Sequence, residues 1–166
     1  MKKILSSERL YLREFIENDL DQLIHLDTNP EVLKYIGKPR TREKSIERMQ
    51  KAFDDYARGE GLGKWMAVEK NTGNPIGWYV LNYLDNTELV EIGYRLKEEY
   101  WGKGYATEMS HHLLKYGFET LGLNKIAGVT HPDNEGSKKV LQKIGLKYIG
   151  LKFYYQQDVS YFELTK

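Results

Sequence analysis

Tyr100-Trp101-Gly102-Lys103-Gly104-Tyr105-Ala106-Thr107-Glu108 is the stretch whose reading decides the fold. Ahead of it, residues 88–96 read as a strand. Behind it, Ala106, Met109, Leu113, Leu114, Gly117, Phe118 and Leu121 form one broad small-or-apolar face of a helix from Tyr105. A strand, a Gly-x-Gly turn and a helix start together make an anion site. The first-turn N–H groups have no intrahelical partner, and the peptide dipoles add partial positive charge there. Glycine keeps a Cβ from standing between those groups and a phosphate oxygen. By itself the stretch is equally an ordinary tight turn.

Downstream stands a second cluster, Asn134-Glu135-Gly136-Ser137-Lys138-Lys139-Val140-Leu141-Gln142-Lys143-Ile144-Gly145-Leu146. The two together resemble the cofactor motifs of the GNAT superfamily of N-acetyltransferases. The resemblance is closest to its branch of ribosomal-protein N-terminal acetyltransferase-like enzymes, which carry a Trp-Gly-x-Gly-Tyr-Ala-Thr-Glu run and an Asn-x-x-Ser helix. Glu8-Arg9-Leu10-Tyr11-Leu12-Arg13 is similar to that branch's first strand, so the likeness spans nearly the whole chain.

With 166 residues, 40% hydrophobic and 30% charged, the chain suits one soluble domain over residues 1–166. A net charge of +1 provides no general attraction to nucleic acid or to an anionic membrane. The chain has no cysteine, which excludes disulfides, thiolate metal ligands and a cysteine acyl-enzyme, and fits a reducing cytoplasm. The apolar run after Lys2-Lys3 is too short for a signal peptide, and no 18-residue apolar stretch follows. The expectation is a soluble cytoplasmic protein, monomer or homodimer, without nucleic-acid or membrane partners.

Alternation predicts a strand over residues 9–15. Asn18-Asp19 is expected to cap a helix carrying Leu20, Leu23, Ile24 and Leu26, ended by Asn29-Pro30. A short turn follows over 32–36. Thr41 then caps a helix whose stripe is Ile46, Met49, Ala52, Phe53 and Tyr56. Strands are predicted over 64–69, 76–84 and 88–96, with Asn71-Thr72-Gly73-Asn74 as a hairpin turn. After the glycine helix come a strand over 125–130, a helix over 134–144, and a closing hairpin over 148–155 and 159–164. The order reads as α+β with one core. The resemblance implies a mixed, mainly antiparallel central sheet flanked by helices. Its two central strands, near 88–97 and 125–131, would splay to admit pantetheine.

The resemblance implies acetyl-CoA as co-substrate. Gly102, Lys103, Gly104, Tyr105, Ala106 and Thr107 would cradle its pyrophosphate, and the backbone of Tyr94, Arg95 and Leu96 would pair with pantetheine. Glu99 departs from the wider superfamily, where Gln or Arg opens the motif. The rival phosphate readings are weak: a P-loop needs Gly-Lys followed by Ser or Thr, whereas here Tyr105 follows Gly104, and Thr107 with a helical Glu119 does not complete a dinucleotide fingerprint. Asn134 fits the family's cofactor-contacting asparagine and also an ordinary N-cap. Transfer to nitrogen needs a neutral amine and hence a base. Glu91, beside Gly93 in mid-strand, is the candidate; a solvated strand glutamate is the alternative, and His131 is the reserve. A backbone N–H near Ile92 would stabilise the oxyanion. The superfamily's thiolate-protonating tyrosine falls at Leu141 here, and the related branch has a serine where Ser137 stands. Ser137 is therefore the candidate acid, against a hydroxyl bonded back to its own helix. Tyr35, Trp78 and Tyr155 fall where the family has its acceptor groove. Glu88, Glu91, Glu98 and Glu99 could make that groove locally acidic. No His or Cys grouping suggests a metal.

The activity so implied is direct transfer of acetyl from acetyl-CoA to a primary amine in a ternary complex, with a protein or peptide α-amine ahead of others. The alternatives are a polyamine or aminoglycoside-type antibiotic acetyltransferase, and a CoA-binding module without catalysis.

Overall fold

A computed structural model describes residues 2–166. Its framework is one eight-stranded sheet in the order β1-β2-β3-β4-β5-β6-β8-β7. The strands are β1 Lys3–Ser6, β2 Leu10–Arg13, β3 Gly63–Glu69, β4 Pro75–Tyr83, β5 Val90–Leu96, β6 Lys125–Thr130, β7 Lys147–Tyr154 and β8 Gln157–Thr165. All neighbours are antiparallel except β5 and β6. That parallel pair is joined only at Val90↔Ile126 and Glu91↔Ala127. From Ile92 onward β5 has no ladder partner on its β6 side, so the sheet opens as the family resemblance implied.

Period-2 alternation assigns the two faces. Trp65, Ala67, Val90, Ile92 and Leu96 enter a core with Met109, Leu113 and Leu114 of α4 Tyr105–Lys115 and with Leu141 and Ile144 at the end of α5 Glu135–Lys143. Met66, Val68 and Trp78 enter the opposite core with Leu23 and Leu26 of α1 Leu20–Thr28 and with Met49 and Ala52 of α3 Arg42–Arg58. α2, Pro30–Leu33, is a single turn capped by Asn29. The close approach of β4 to β5 depends on Gly77, where a Cβ would stand 2.2 Å from the Arg95 carbonyl oxygen.

Three expectations change. The sequence reading has no counterpart of β1, a short strand that pairs only with β2. Asp19 does not cap α1: its carboxylate is buried in a two-pronged ion pair with Arg13 (2.6 and 2.7 Å) and accepts the Ile16 N–H. A paired buried carboxylate gains more there than at a solvated helix end. Ile46 is exposed, while Ser45 and Asp55 face inward beside Met49 and Ala52. The buried face of α3 is thus rotated from the predicted stripe toward a polar cluster. No helix among the described residues is long and apolar enough to cross a membrane.

Candidate active site

The Gly-x-Gly turn does what its glycines permit. Gly102 and Gly104 have φ of 70° and 82°, a region costly to residues with a Cβ. Gly104 occupies the N-cap position of α4 and offers no capping side chain, whereas Asn29, Thr41 and Asn134 cap α2, α3 and α5. The first N–H groups of α4 therefore have no side-chain cap. Glu108 anchors this helix start: its carboxylate accepts from the Ser7 hydroxyl (2.7 Å), the Arg9 N–H (2.8 Å) and the Arg9 Nε (2.7 Å). The Glu-Arg-Leu segment and the glycine motif, distant in sequence, therefore form one unit.

A groove of about 550 Å³ runs from this turn along the open edge of β5. Gly102, Gly104, Ala106, Thr107, Tyr94, Arg95, Leu96, Asn134 and Ser137 all line it, with Trp101, Lys139 and Lys143 added. Lys103 and Tyr105 are placed otherwise. The Lys103 ammonium lies 5.4 Å over the Tyr100 ring, and its carbonyl accepts from Arg9. Tyr105 is buried, its phenol donating to Glu69 and its carbonyl accepting from Tyr79 at 2.8 Å. Both hold the turn without lining the groove. An uncapped helix start, open glycine backbone and lysines suit the phosphates and pantetheine of CoA.

A second cavity, of about 540 Å³, lies on the α1–α3 side of β5 and meets the first at Tyr94, Arg95, Asn134 and Ser137. Glu91, Ile92, Gly93, Tyr35, Trp78, Tyr155 and His131 line it. Burial raises Glu91 to about 7, against the opposing effect of a hydrogen bond from the Tyr155 phenol and the nearby Lys64 charge. Tyr155 is aimed by an unusual turn. Tyr155 and Gln156 both have positive φ, 53° and 62°, without glycine. The turn is clasped to the β4–β5 connection, because the Tyr155 N–H donates to Asp85 Oδ2 (2.9 Å) and the Asp85 N–H donates to the Tyr155 oxygen (3.1 Å). Positive φ at both positions is what the twist of the two-residue β7–β8 hairpin asks for, at a cost that glycine or asparagine would have lowered.

Asn134 is an N-cap, accepting the Ser137 N–H at 3.1 Å, and also lines both cavities. Burial raises Tyr94, while the adjacent Ser137 hydroxyl acts in the other direction. His131 Nδ1 accepts the Asp133 N–H at 3.1 Å, so a neutral ring carries its proton on Nε2. Of the four glutamates thought able to make an acidic groove, only Glu91 lines this cavity. The wall is instead rich in cations: Arg40, Arg48, Lys51, Lys64 and Arg95. Sequence reasoning named Arg95 for its backbone and missed the others. The available signal was Asp27, a carboxylate on the stripe of Leu20 and Leu23, which is fully buried and pairs with Arg40, Arg48 and Arg95.

Residues 9–147 match the family model for the acetyltransferase (GNAT) domain. The chain is 33% identical over 170 residues to the uncharacterized N-acetyltransferase p20 of Bacillus licheniformis, covering 98% of this chain and 96% of that one. A crystal structure of an acetyltransferase from Agrobacterium tumefaciens str. C58 superposes with a TM-score of 0.88 at 24% identity, over 100% of this chain and 95% of the other. RimL, a ribosomal L7/L12 alpha-N-protein acetyltransferase solved in complex with coenzyme A, shares the fold with a TM-score of 0.81 at 18% identity, over 99% and 98%.

Proposed function

The chain belongs to the GNAT acetyltransferase family and is an N-acetyltransferase, and from that premise we propose direct transfer of acetyl from acetyl-CoA to an α-type primary amine of a peptide, protein or small molecule. The observation that carries this reading is the meeting of two cavities at Ser137 and Tyr94, with Glu91 on the wall of one and the uncapped α4 start on the wall of the other. Acetyl-CoA supplies the activated acyl group as a thioester. Glu91, directly or through a water, takes a proton from the bound ammonium, and the freed nitrogen forms its bond to the acetyl carbon as the carbon–sulfur bond breaks. An N–H at Ile92, where β5 loses its β6 partner, faces the developing oxyanion. Ser137 or water gives a proton to the departing sulfur, and the second proton lost by the acetylated nitrogen restores the donor.

Glu91 suits an α-amine for a quantitative reason. A base titrating at about 7 exchanges protons readily with an α-amine near ~8, and much less readily with a lysine amine near ~10.4. His131 is the weaker candidate because its Nδ1 lone pair is already used by Asp133. The cationic wall argues against polyamines and aminoglycosides, whose several ammonium groups it would repel. The test is competition at equal concentration among peptides with free N-termini, Nα-blocked lysine peptides, spermidine and an aminoglycoside, with products identified by mass. Free α-amines are expected to dominate. Preferred acetylation of spermidine or the antibiotic would overturn the acceptor assignment, and binding of acetyl-CoA with no turnover on any amine would favour a non-catalytic module.

A further inference from the structure

Asp27 is fully buried and already committed. Its Oδ1 accepts from Arg95 (2.7 Å) and Arg40 (3.2 Å), and its Oδ2 accepts from Ser45 (3.1 Å) with Arg48 Nε at 3.5 Å. Lys64 adds a fourth cation over the Trp78 ring, 4.4 Å from its centroid, and forms no ion pair among the described residues. One carboxylate therefore faces three guanidinium groups and the Lys64 amine. The other acids of the cavity balance them only in part: Asp55 pairs with Arg58 (3.1 Å) and accepts from Asn82 (2.8 Å), and Glu91, whose carboxylate the Lys64 charge reaches, is pushed by burial toward its neutral form. Three buried donors, Arg48 Nε, Arg95 Nε and Trp78 Nε1, have no hydrogen-bond acceptor among the described residues. Buried charges and donors are ordinarily paired, because an unpaired one loses its hydration without return. Burial and mutual repulsion pull Lys64 well below the usual lysine range and Arg95 down to about 9. Such a cluster gains from an added anion.

The sheet places this cluster relative to the base. On one face β5 presents Glu91, Gly93 and Arg95 in succession. Lys64 pairs with Val80, which pairs with Gly93, and Trp78 pairs with Arg95. Lys64 thus stands in the row one step from Glu91, and Arg95 and Trp78 in the row two steps away, each step being roughly 7 Å of strand. Gly93 itself adds no side chain between them; the neighbour there is the Val80 methyl, 3.1 Å from where a Gly93 Cβ would stand.

We infer that the acceptor carries an anionic group, a carboxylate or a phosphate ester, in addition to its primary amine, and that Arg48, Lys64, Arg95 and the Trp78 indole N–H receive it while the amine reaches Glu91. This rests on the acetyl-transfer reading above and narrows its substrate class. The amine end is set by proton transfer, and the anionic end by charge and hydrogen bonding.

Two measurements test it. In turnover, matched acceptors are compared with acetyl-CoA saturating: peptides beginning with Asp or Glu against their Asn or Gln counterparts, free amino acids against their amides, and 2-aminoethyl phosphate against ethanolamine. Anionic members are expected to have kcat/KM at least roughly tenfold higher, the scale of a charge-assisted hydrogen bond. The pair with the largest ratio distinguishes carboxylate from phosphate, and peptide from free amino acid. Lys64→Met and Arg48→Gln should each lower that ratio severalfold, with retained stabilisation by CoA as the control for folding. Independently of catalysis, calorimetry with CoA present should detect glutarate or inorganic phosphate binding to the wild type, weakened at least fivefold in Lys64→Met, and no binding of glutaramide. Equal use of anionic and neutral acceptors, or no binding of either anion, overturns the inference while leaving acetyl transfer intact. Anion binding in calorimetry without turnover of any amine would instead uphold the subsite and overturn the proposed reaction.

Discussion

Glu91 and Tyr155 make a testable pair. The base works as a carboxylate, so kcat/KM with one amine should fall as pH drops through about 7 and Glu91 takes up its proton. The Tyr155 phenol donates to that carboxylate and favours the charged form. Tyr155→Phe therefore raises Glu91 further, and the acid limb should move upward by about one pH unit, the scale of a lost hydrogen bond to a charge. Activity at pH 7 falls severalfold and recovers near pH 9. The amine's own titration is common to both enzymes, so the displacement belongs to Glu91. Glu91→Gln should lower turnover by roughly 100-fold at every pH while CoA affinity stays near wild type. An unmoved limb in Tyr155→Phe, or full activity in Glu91→Gln, would show that Glu91 is a strand glutamate without chemistry. Ser137→Ala should cost less than Glu91→Gln, because water can protonate a departing thiolate.

Helix α4 and strand β5 are the elements that make a ligand site from ordinary parts. α4 begins without a side-chain cap, and β5 loses its neighbour after Glu91. Both leave backbone groups to be satisfied by something other than the protein. Gly104 is where the two demands meet, since its φ of 82° lets the chain turn into α4 and its lack of a Cβ keeps the N–H groups open. In Gly104→Val the new Cβ would also stand 3.4 Å from Arg9 Nη2. The variant should lose about 1–2 kcal/mol of stability from the left-handed backbone. CoA affinity should drop by at least roughly tenfold, like the loss of one charge-assisted contact. Denaturant unfolding measures the first and calorimetry the second. A folded variant with normal CoA affinity would mean that the glycine serves the turn alone.

The whole molecule holds a groove and a cavity on either side of one splayed strand pair, bracketed by two apolar cores. Ligand in the groove contacts β5, α4 and α5 together, so its binding energy adds to global stability. Acetyl-CoA at 100 times its dissociation constant should stabilise by about 2.7 kcal/mol. For a chain of this size that is a rise in Tm of roughly 5–10 °C. A scan in which acetyl-CoA produces no rise while another nucleotide does would remove the groove assignment. At this scale the charge pattern also differs from what net charge suggests. A chain with a net charge of +1 gathers Arg40, Arg48, Lys51, Lys64 and Arg95 on one cavity wall.

Local features are legible in the sequence itself. The Gly-x-Gly turn, the Asn134 cap, the helix from Tyr105 and the strand ending at Leu96 depend on φ preferences, capping and side-chain period, which neighbouring residues decide among themselves. The splay between β5 and β6 followed from the family resemblance that those motifs carried. What had to wait for the tertiary structure was set by residues far apart in the chain. β1 has too few residues for a period to register and exists by pairing with β2. Tyr155 reaches Glu91 because Asp85, 70 positions earlier, clasps a strained turn. The cation cluster draws on the α2–α3 connection, α3, β3 and β5 around one carboxylate from α1. Hydrophobic periodicity marks only which face of an element turns inward. Which charges then meet, and whether one is left without a partner, is decided by how the elements pack.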